Sequence, residues 1–373
     1  MAGLYIHIPF CKQACVYCNF HFSTNTKYKD KMIRAMTSEI EIRKDYLHNQ
    51  TINSIYLGGG TPSLLDQTEL GLLFEAIYKW FKVAPDAEIT IEANPDDLHD
   101  NYVSMLATTH INRLSIGVQS FFDEELNWMN RAHQASQSIT AVKRAQDAGF
   151  QNITIDLIYG IPVSTTYKWE QNIMKAMQLN VDHISAYCLT VEEKTLLSNL
   201  IANKTTNELD EEISQLQFNI LIDKLEEAGY EQYEISNFAR NKKYAIHNSS
   251  YWKQQPYLGI GPSAHSYDIE TRCWNVNNNH HYIEKLEKGN TAFETEFLSP
   301  ENRFNEYMMT SLRTMWGCDK NILETDYRQQ LQKMKIPLEN QIKVGNLIDT
   351  GKNYKLAKHA RFFADGIAAS LFV

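Results

Sequence analysis

Hydrophobic positions in the first half of the chain fall into six short runs. Leu4–Ile8, Ile52–Leu57, Glu88–Ile91, Arg113–Val118, Asn152–Tyr159 and His183–Tyr187 are rich in β-formers, and Gly, Pro, Asn or a polar turn follows most of them. The stretches between them carry helical spacing, as in Tyr28–Tyr46, Leu70–Phe81, Ser138–Ala148 and Tyr167–Met177. Short, mostly apolar runs predict strands of a parallel sheet buried on both faces. Strands alternating with helices predict an α/β fold, and right-handed crossovers curl the sheet into a (βα)6 partial barrel.

The pattern changes near residue 200. Asn207–Ala228 has a capping-like start and a long helical period, and Gly229 stops it. Tyr233–Ile235 reads as a strand, and Ile246–Tyr267 is rich in aromatics, Gly and His. From Pro300 to Val373 helical stretches precede a short hairpin around Gly351–Asn353, which reads as a small α+β, winged-helix-like accessory module. The expected division is a barrel at 1–200, a barrel-covering region at 201–299 and the α+β module at 300–373.

Composition narrows the function. Of 373 residues, 43% are hydrophobic and 22% charged, which suits a packed soluble protein and excludes low-complexity classes. No apolar run reaches membrane-spanning length, and the N-terminus does not read as a secretory signal. The formal charge of −9 argues against a nucleic-acid partner, while leaving peripheral membrane contact open. Six cysteines without a disulfide-like spacing point to the cytoplasm.

Three of the cysteines, Cys11, Cys15 and Cys18, have C-x3-C-x2-C spacing directly after the first predicted strand. Three soft thiolates can hold three irons of a four-iron cluster and leave the fourth iron open. A structural zinc with His21 as its fourth ligand is the alternative, within a zinc-stabilised binding protein. The aromatics Phe10, Tyr17, Phe20 and Phe22 and the position at a strand's C-terminal end favour the cluster. Cys188, Cys273 and Cys318 read as small buried apolar residues. Other strand ends carry polar residues or glycines: Gly58-Gly59-Gly60-Thr61, Glu92, Gln119, Arg131 a little beyond the fourth run, and Asp156. A carboxylate in an apolar run needs partners, and ribose hydroxyls would serve Glu92. The planar fork of Arg131 suits a carboxylate, a surface ion pair being the plainer reading.

Cys-x3-Cys-x-Tyr-Cys after a first strand resembles the radical S-adenosylmethionine superfamily. The resemblance implies a [4Fe-4S] cluster on Cys11, Cys15 and Cys18, with S-adenosylmethionine chelating the open iron and cleaved there by an electron from the cluster. It implies cofactor contacts from Tyr5, Gly59, Gly60, Thr61, Glu92, Gln119, Arg131 and Asp156. His-Ile-Pro-Phe-Cys, Gly-Gly-Gly-Thr-Pro, Gly-Val-Gln-Ser and Gly-Ile-Gly-Pro-Ser-Ala-His resemble the branch holding oxygen-independent coproporphyrinogen III oxidases and haem chaperones of the HemW type.

Three features separate the subfamilies. The oxidases have an extension before the first strand, which here begins at Gly3. They have a further cysteine where this chain has Phe20, and His247-Asn-Ser-Ser-Tyr251-Trp252 matches the chaperones' His-Asn-x-x-Tyr-Trp. The resemblance therefore implies a protein that binds haem and passes it to haem-requiring respiratory proteins, with an electron donor for the cluster. The alternative is the oxidase itself, an enzyme that oxidatively decarboxylates coproporphyrinogen III to protoporphyrinogen IX. His247 is the expected haem ligand, with Tyr251 and Trp252 packing on the macrocycle or bonding its propionates. His265 and His7 compete as ligands, and a structural role for His247 beside a core aromatic pair is the plainer alternative.

Overall fold

The computed structural model describes residues 2–373. Its central feature is a twelve-stranded sheet. Strands β1 (Ala2–Ile8), β2 (Ile52–Gly59), β3 (Val83–Ala93), β4 (Arg113–Gln119), β5 (Asn152–Tyr159) and β6 (His183–Cys188) lie side by side in chain order. All five pairings among them are parallel. The six apolar runs thus form the expected partial barrel, and helices such as Lys29–Ile42 and Gln67–Trp80 cover its outside. The second of these starts with a capping box, in which Asp66 and Glu69 bond each other's backbone N–H.

The inner face differs from the sequence reading. Leu4, Ile6, Ile55, Leu57, Ile89, Ile91, Leu114, Ile116, Ile153, Ile155 and Ile184 belong to the main core beneath the helices. The alternate residues face inward and are largely polar, as their cross-strand hydrogen bonds show. From the N-terminal ends of the strands upward they include Ser54, Glu88, Arg113, Thr154 and His183, then Tyr5, Tyr56, Ser115, Asp156 and Ser185, then His7 and Glu92. The strands are apolar on one face only, and their period-2 alternation separates core from shaft.

Both edges of the sheet are extended. Beyond β6 lie β8 (Asn237–Ala239), antiparallel to β6, and then β7 (Glu231–Glu234), antiparallel to β8. Beyond β1 lie β9 (Tyr257–Ile260), which is parallel to it, and then β10 (His265–Tyr267), β11 (Thr271–Asn275) and β12 (Phe293–Phe297) as an antiparallel meander. Three- to five-residue strands among aromatics and glycines show no measurable period, so the sequence reading missed β8 to β12. The helix expected at Asn207–Ala228 runs over Glu211–Glu227, starting later because Asp210 caps it by accepting from Ile213 N–H.

The last segment has its own apolar cluster, which includes Phe304, Met308, Leu312, Leu338, Leu356 and Leu371. It surrounds a three-stranded antiparallel sheet of β13 (Cys318–Asp319), β15 (Asn353–Leu356) and β14 (Leu347–Asp349), in that order. No helix among the described residues is long and apolar enough to cross a membrane.

Candidate functional site

A cavity of about 550 Å3 opens over the C-terminal ends of the barrel strands. Cys11, Cys15 and Cys18 form one wall, and all three thiols are free. Their loop is pinned from several sides. Cys11 N–H donates to Ser23 O at 3.1 Å, and Val16 N–H to Met129 O at 3.2 Å. Asn130 Nδ2 donates to Ala14 O at 2.7 Å, and Lys12 pairs with Asp96 at 2.6 Å and with Asp97. Burial pushes the Cys11 and Cys18 thiols up to about 11, so a bound metal would have to displace their protons.

The glycine turn forms the next wall. Gly59 has φ of +102°, a backbone state that L side chains avoid. A Cβ on Gly60 would sit 2.6 Å from Phe10 O, so only glycine lets the turn lie against the cysteine loop. Thr61 N–H donates to Phe10 O at 2.7 Å and ties the two loops together.

Two half-buried carboxylates stand on the floor. Glu92 accepts from Tyr56 OH at 2.8 Å and from Gly59 N–H at 3.2 Å. Burial raises its carboxyl to about 7; the Tyr56 bond opposes the rise, and the nearby Asp156 adds to it. Burial raises Asp156 to about 6 against the hydrogen bonds of Ser115 and Ser185. Arg131 spans the remaining side. Its Nη2 donates to Asn94 Oδ1 at 2.6 Å and to Gly117 O at 3.0 Å, and its Nη1 to Cys15 Sγ at 3.4 Å. Its Nε is buried without a partner, and Gln119 lies beside it with φ of +64°.

The cavity thus gathers Cys11, Cys15, Cys18, Gly59, Gly60, Thr61, Glu92, Gln119, Arg131 and Asp156. Tyr5 is not among its lining residues; it sits lower in the shaft, bonded through its hydroxyl to His7 Nδ1 at 3.0 Å. Tyr56, Asn94, Ser115, Ile158 and Tyr187 line the cavity and were missed. For Ile158 the signal was its place two residues after Asp156 on β5, because residues two apart share a face. Cys188 corrects the sequence reading. Cys273 and Cys318 are buried, but Cys188 is partly exposed and lines the cavity at the end of β6.

The motif residues lie elsewhere. His247 and Tyr251 belong to the helix Ile246–Trp252, which packs against the N-terminal ends of β1 and β2, opposite the cavity. His247 is 2% exposed, with Nδ1 bonded to Ser54 Oγ at 2.9 Å and Nε2 to Tyr251 OH at 2.8 Å. Both ring nitrogens thus have a side-chain partner in this structure. Trp252 faces Arg313, whose guanidinium lies 5.1 Å from its ring. His7 is buried and bonded to Tyr5 OH and His21 O, and His265 is exposed on β10. His21 Nε2 is bonded to Asn279 Oδ1 at 2.6 Å.

Residues 5–173 match the Radical SAM superfamily, and the fold and the thiol-lined cavity agree with that class. Family membership carries a [4Fe-4S] cluster and S-adenosylmethionine as cofactors. The chain is 35% identical over 334 residues to "Heme chaperone HemW" of Bacillus subtilis, covering 89% of this chain and 88% of that one. It is 33% identical to the protein of the same name from Lactococcus lactis, over 88% and 86% of the two chains. The chain belongs to the HemW haem chaperone family. The structure of coproporphyrinogen III oxidase from Escherichia coli superposes over 100% of this chain and 90% of its own with a TM-score of 0.86. At 22% identity, that likeness shows the fold alone.

Proposed function

We propose that this chain is a haem chaperone whose cavity holds a [4Fe-4S] cluster and S-adenosylmethionine, and that it binds haem and delivers it to haem-requiring respiratory proteins. The carrying observation is the convergence of three free thiols, a glycine turn and two half-buried carboxylates on one cavity. Cys11, Cys15 and Cys18 are the cluster ligands, a donor set of soft thiolates with one iron left over. Arg131 is oriented by Asn94 and Gly117 and faces the thiols, where it neutralises thiolate charge and receives a carboxylate. Gly59, Gly60 and Thr61 bring backbone close to the ligand, Glu92 and Asp156 accept from hydroxyl or amino groups, and Gln119 closes the side. When bound, the pair supplies one-electron chemistry, and the protein's part is orientation and exclusion of water.

The setting is the cytoplasm, with an external electron donor and peripheral contact at a membrane where an acceptor resides there. The test is anaerobic reconstitution followed by haem loading and transfer to a haem-free acceptor. Iron and sulfide at four each per chain, a haem absorption band and acceptor reactivation are expected. Turnover of coproporphyrinogen III to protoporphyrinogen with S-adenosylmethionine and a reductant would overturn the chaperone reading. Zinc in place of iron and sulfide would overturn the cluster.

A further inference from the structure

The His-Asn-x-x-Tyr-Trp helix closes the N-terminal end of a polar shaft. The backbone N–H groups of Ile246 and His247 donate to the two oxygens of Glu88, at 3.1 and 3.0 Å. Arg113 faces Glu88 at 3.6 Å and also bonds Thr154, which bonds His183 Nδ1 at 3.1 Å. The helix is thereby fixed to β3 and, through Arg113 and its partners, to β4, β5 and β6.

His247 projects upward into this shaft. A Cβ on Gly3 would meet its ring at 3.2 Å, so the first strand leaves room for the imidazole. The ring stacks on Tyr56 at 5.2 Å between centroids and 22° between planes. Tyr5 flanks both, at 6.2 Å from Tyr56 and 6.4 Å from His247. Tyr56 then reaches the cavity, where its hydroxyl donates to Glu92 Oε1. A Cβ on Gly58 would sit 2.7 Å from Tyr56 Cε1 and 2.9 Å from Glu92 Oε1, so glycine is required where ring and carboxylate meet. Burial holds the His247 imidazole neutral, with its pKa lowered to about 3, as suits a ring that stacks and bonds without carrying charge.

We propose that His247 is a positioning residue for the cofactor cavity: held by Ser54 and Tyr251, it fixes the Tyr56 ring and through it the Glu92 carboxylate. The inference rests on reading Glu92 as the acceptor for ribose hydroxyls. It gives the motif a structural route to S-adenosylmethionine without any contact between the motif and the ligand. A haem-ligand role would require His247 to give up its bond to Ser54 or to Tyr251.

The test measures S-adenosylmethionine binding to the reconstituted protein and to His247→Ala, Tyr56→Phe and the double variant. A 2′,3′-dideoxy analogue of the ligand serves as the second probe. Loss of one hydrogen bond to a charged group predicts about tenfold weaker binding in Tyr56→Phe, and His247→Ala approaches that value. The double variant is no weaker than Tyr56→Phe alone, and the analogue binds all four proteins equally. Tyr251→Phe, which keeps the ring, shows a smaller loss of about twofold and stands in if His247→Ala does not fold. Equal weakening of ligand and analogue in His247→Ala would reduce His247 to a packing role and overturn the proposal. So would effects that add in full, or a Tyr251→Phe protein with unchanged affinity where it stands in. A wild-type protein that binds neither probe would instead overturn the cofactor reading itself.

Discussion

The ionisation of Glu92 gives the most direct quantitative handle on the cavity. Burial lifts its carboxyl to about 7, so its charge changes near neutral pH. In the role proposed for Glu92, ribose hydroxyls donate to the carboxylate, so the ionised form would be the one that binds. Its population rises from about a tenth at pH 6 to about nine tenths at pH 8, which predicts roughly tenfold tighter binding of S-adenosylmethionine across that range. Asp156, lifted to about 6, is half ionised at the lower limit and adds up to about twofold in the same direction. The assay is equilibrium binding to anaerobically reconstituted protein at pH 6, 7 and 8, for wild type and Glu92→Gln. In the variant the steep component disappears, leaving about twofold from Asp156 and any titration of the ligand's own amino group. Affinity independent of pH in the wild type, or the full slope persisting in Glu92→Gln, would refute the reasoning.

Three further outcomes follow from the same geometry. Glu88→Ala leaves Arg113 without its buried counter-charge and two helix N–H groups without an acceptor. It should destabilise the protein by about 4 kcal/mol in urea unfolding, and a loss under about 1 kcal/mol would show the barrel's lower end to be hydrated. Cys11→Ala should abolish iron retention after reconstitution, while Cys188→Ala keeps the full complement; iron loss in the Cys188 variant would mean that the ligand set is wrong. Gly59→Ala places a Cβ 2.4 Å from His7 Nδ1 at a left-handed φ. A cost of about 2 kcal/mol or more, together with weakened cofactor binding, is expected from thermal unfolding and titration.

The barrel was legible because its signal is local. Ile153, Ile155 and Leu157 alternate with Thr154 and Asp156, and a turn at Gly160 ends the run. The cavity residues were legible as exceptions, glycines or polar groups placed late in or just after apolar runs. What escaped depended on distant partners. The sequence does not show that Glu88, 159 positions earlier, receives the N–H of His247, or that Ser54 and Tyr251 occupy its ring. Cys188 escaped for the opposite reason, since nothing in its neighbourhood marks the end of β6 as the edge of a cavity. The edge strands β9 to β12 escaped because they are too short for a period to develop.

Glu88 and Glu92 show what separates a structural group from a functional one in this fold. Both are glutamates on β3, four residues apart, and alternation directs both into the shaft. Glu88 accepts from two backbone N–H groups and faces a guanidinium of opposite charge. Glu92 has one hydroxyl and one N–H, and its charged neighbour Asp156 has the same sign, so it is left short of donors where the cavity opens. Residue type and register are the same in the two cases. Each accepts two hydrogen bonds, and the difference is the third neighbour: a guanidinium beside Glu88 and a second carboxylate, Asp156, beside Glu92. His247 resembles Glu88 in this respect, because both of its ring nitrogens are bonded to protein side chains, Ser54 and Tyr251.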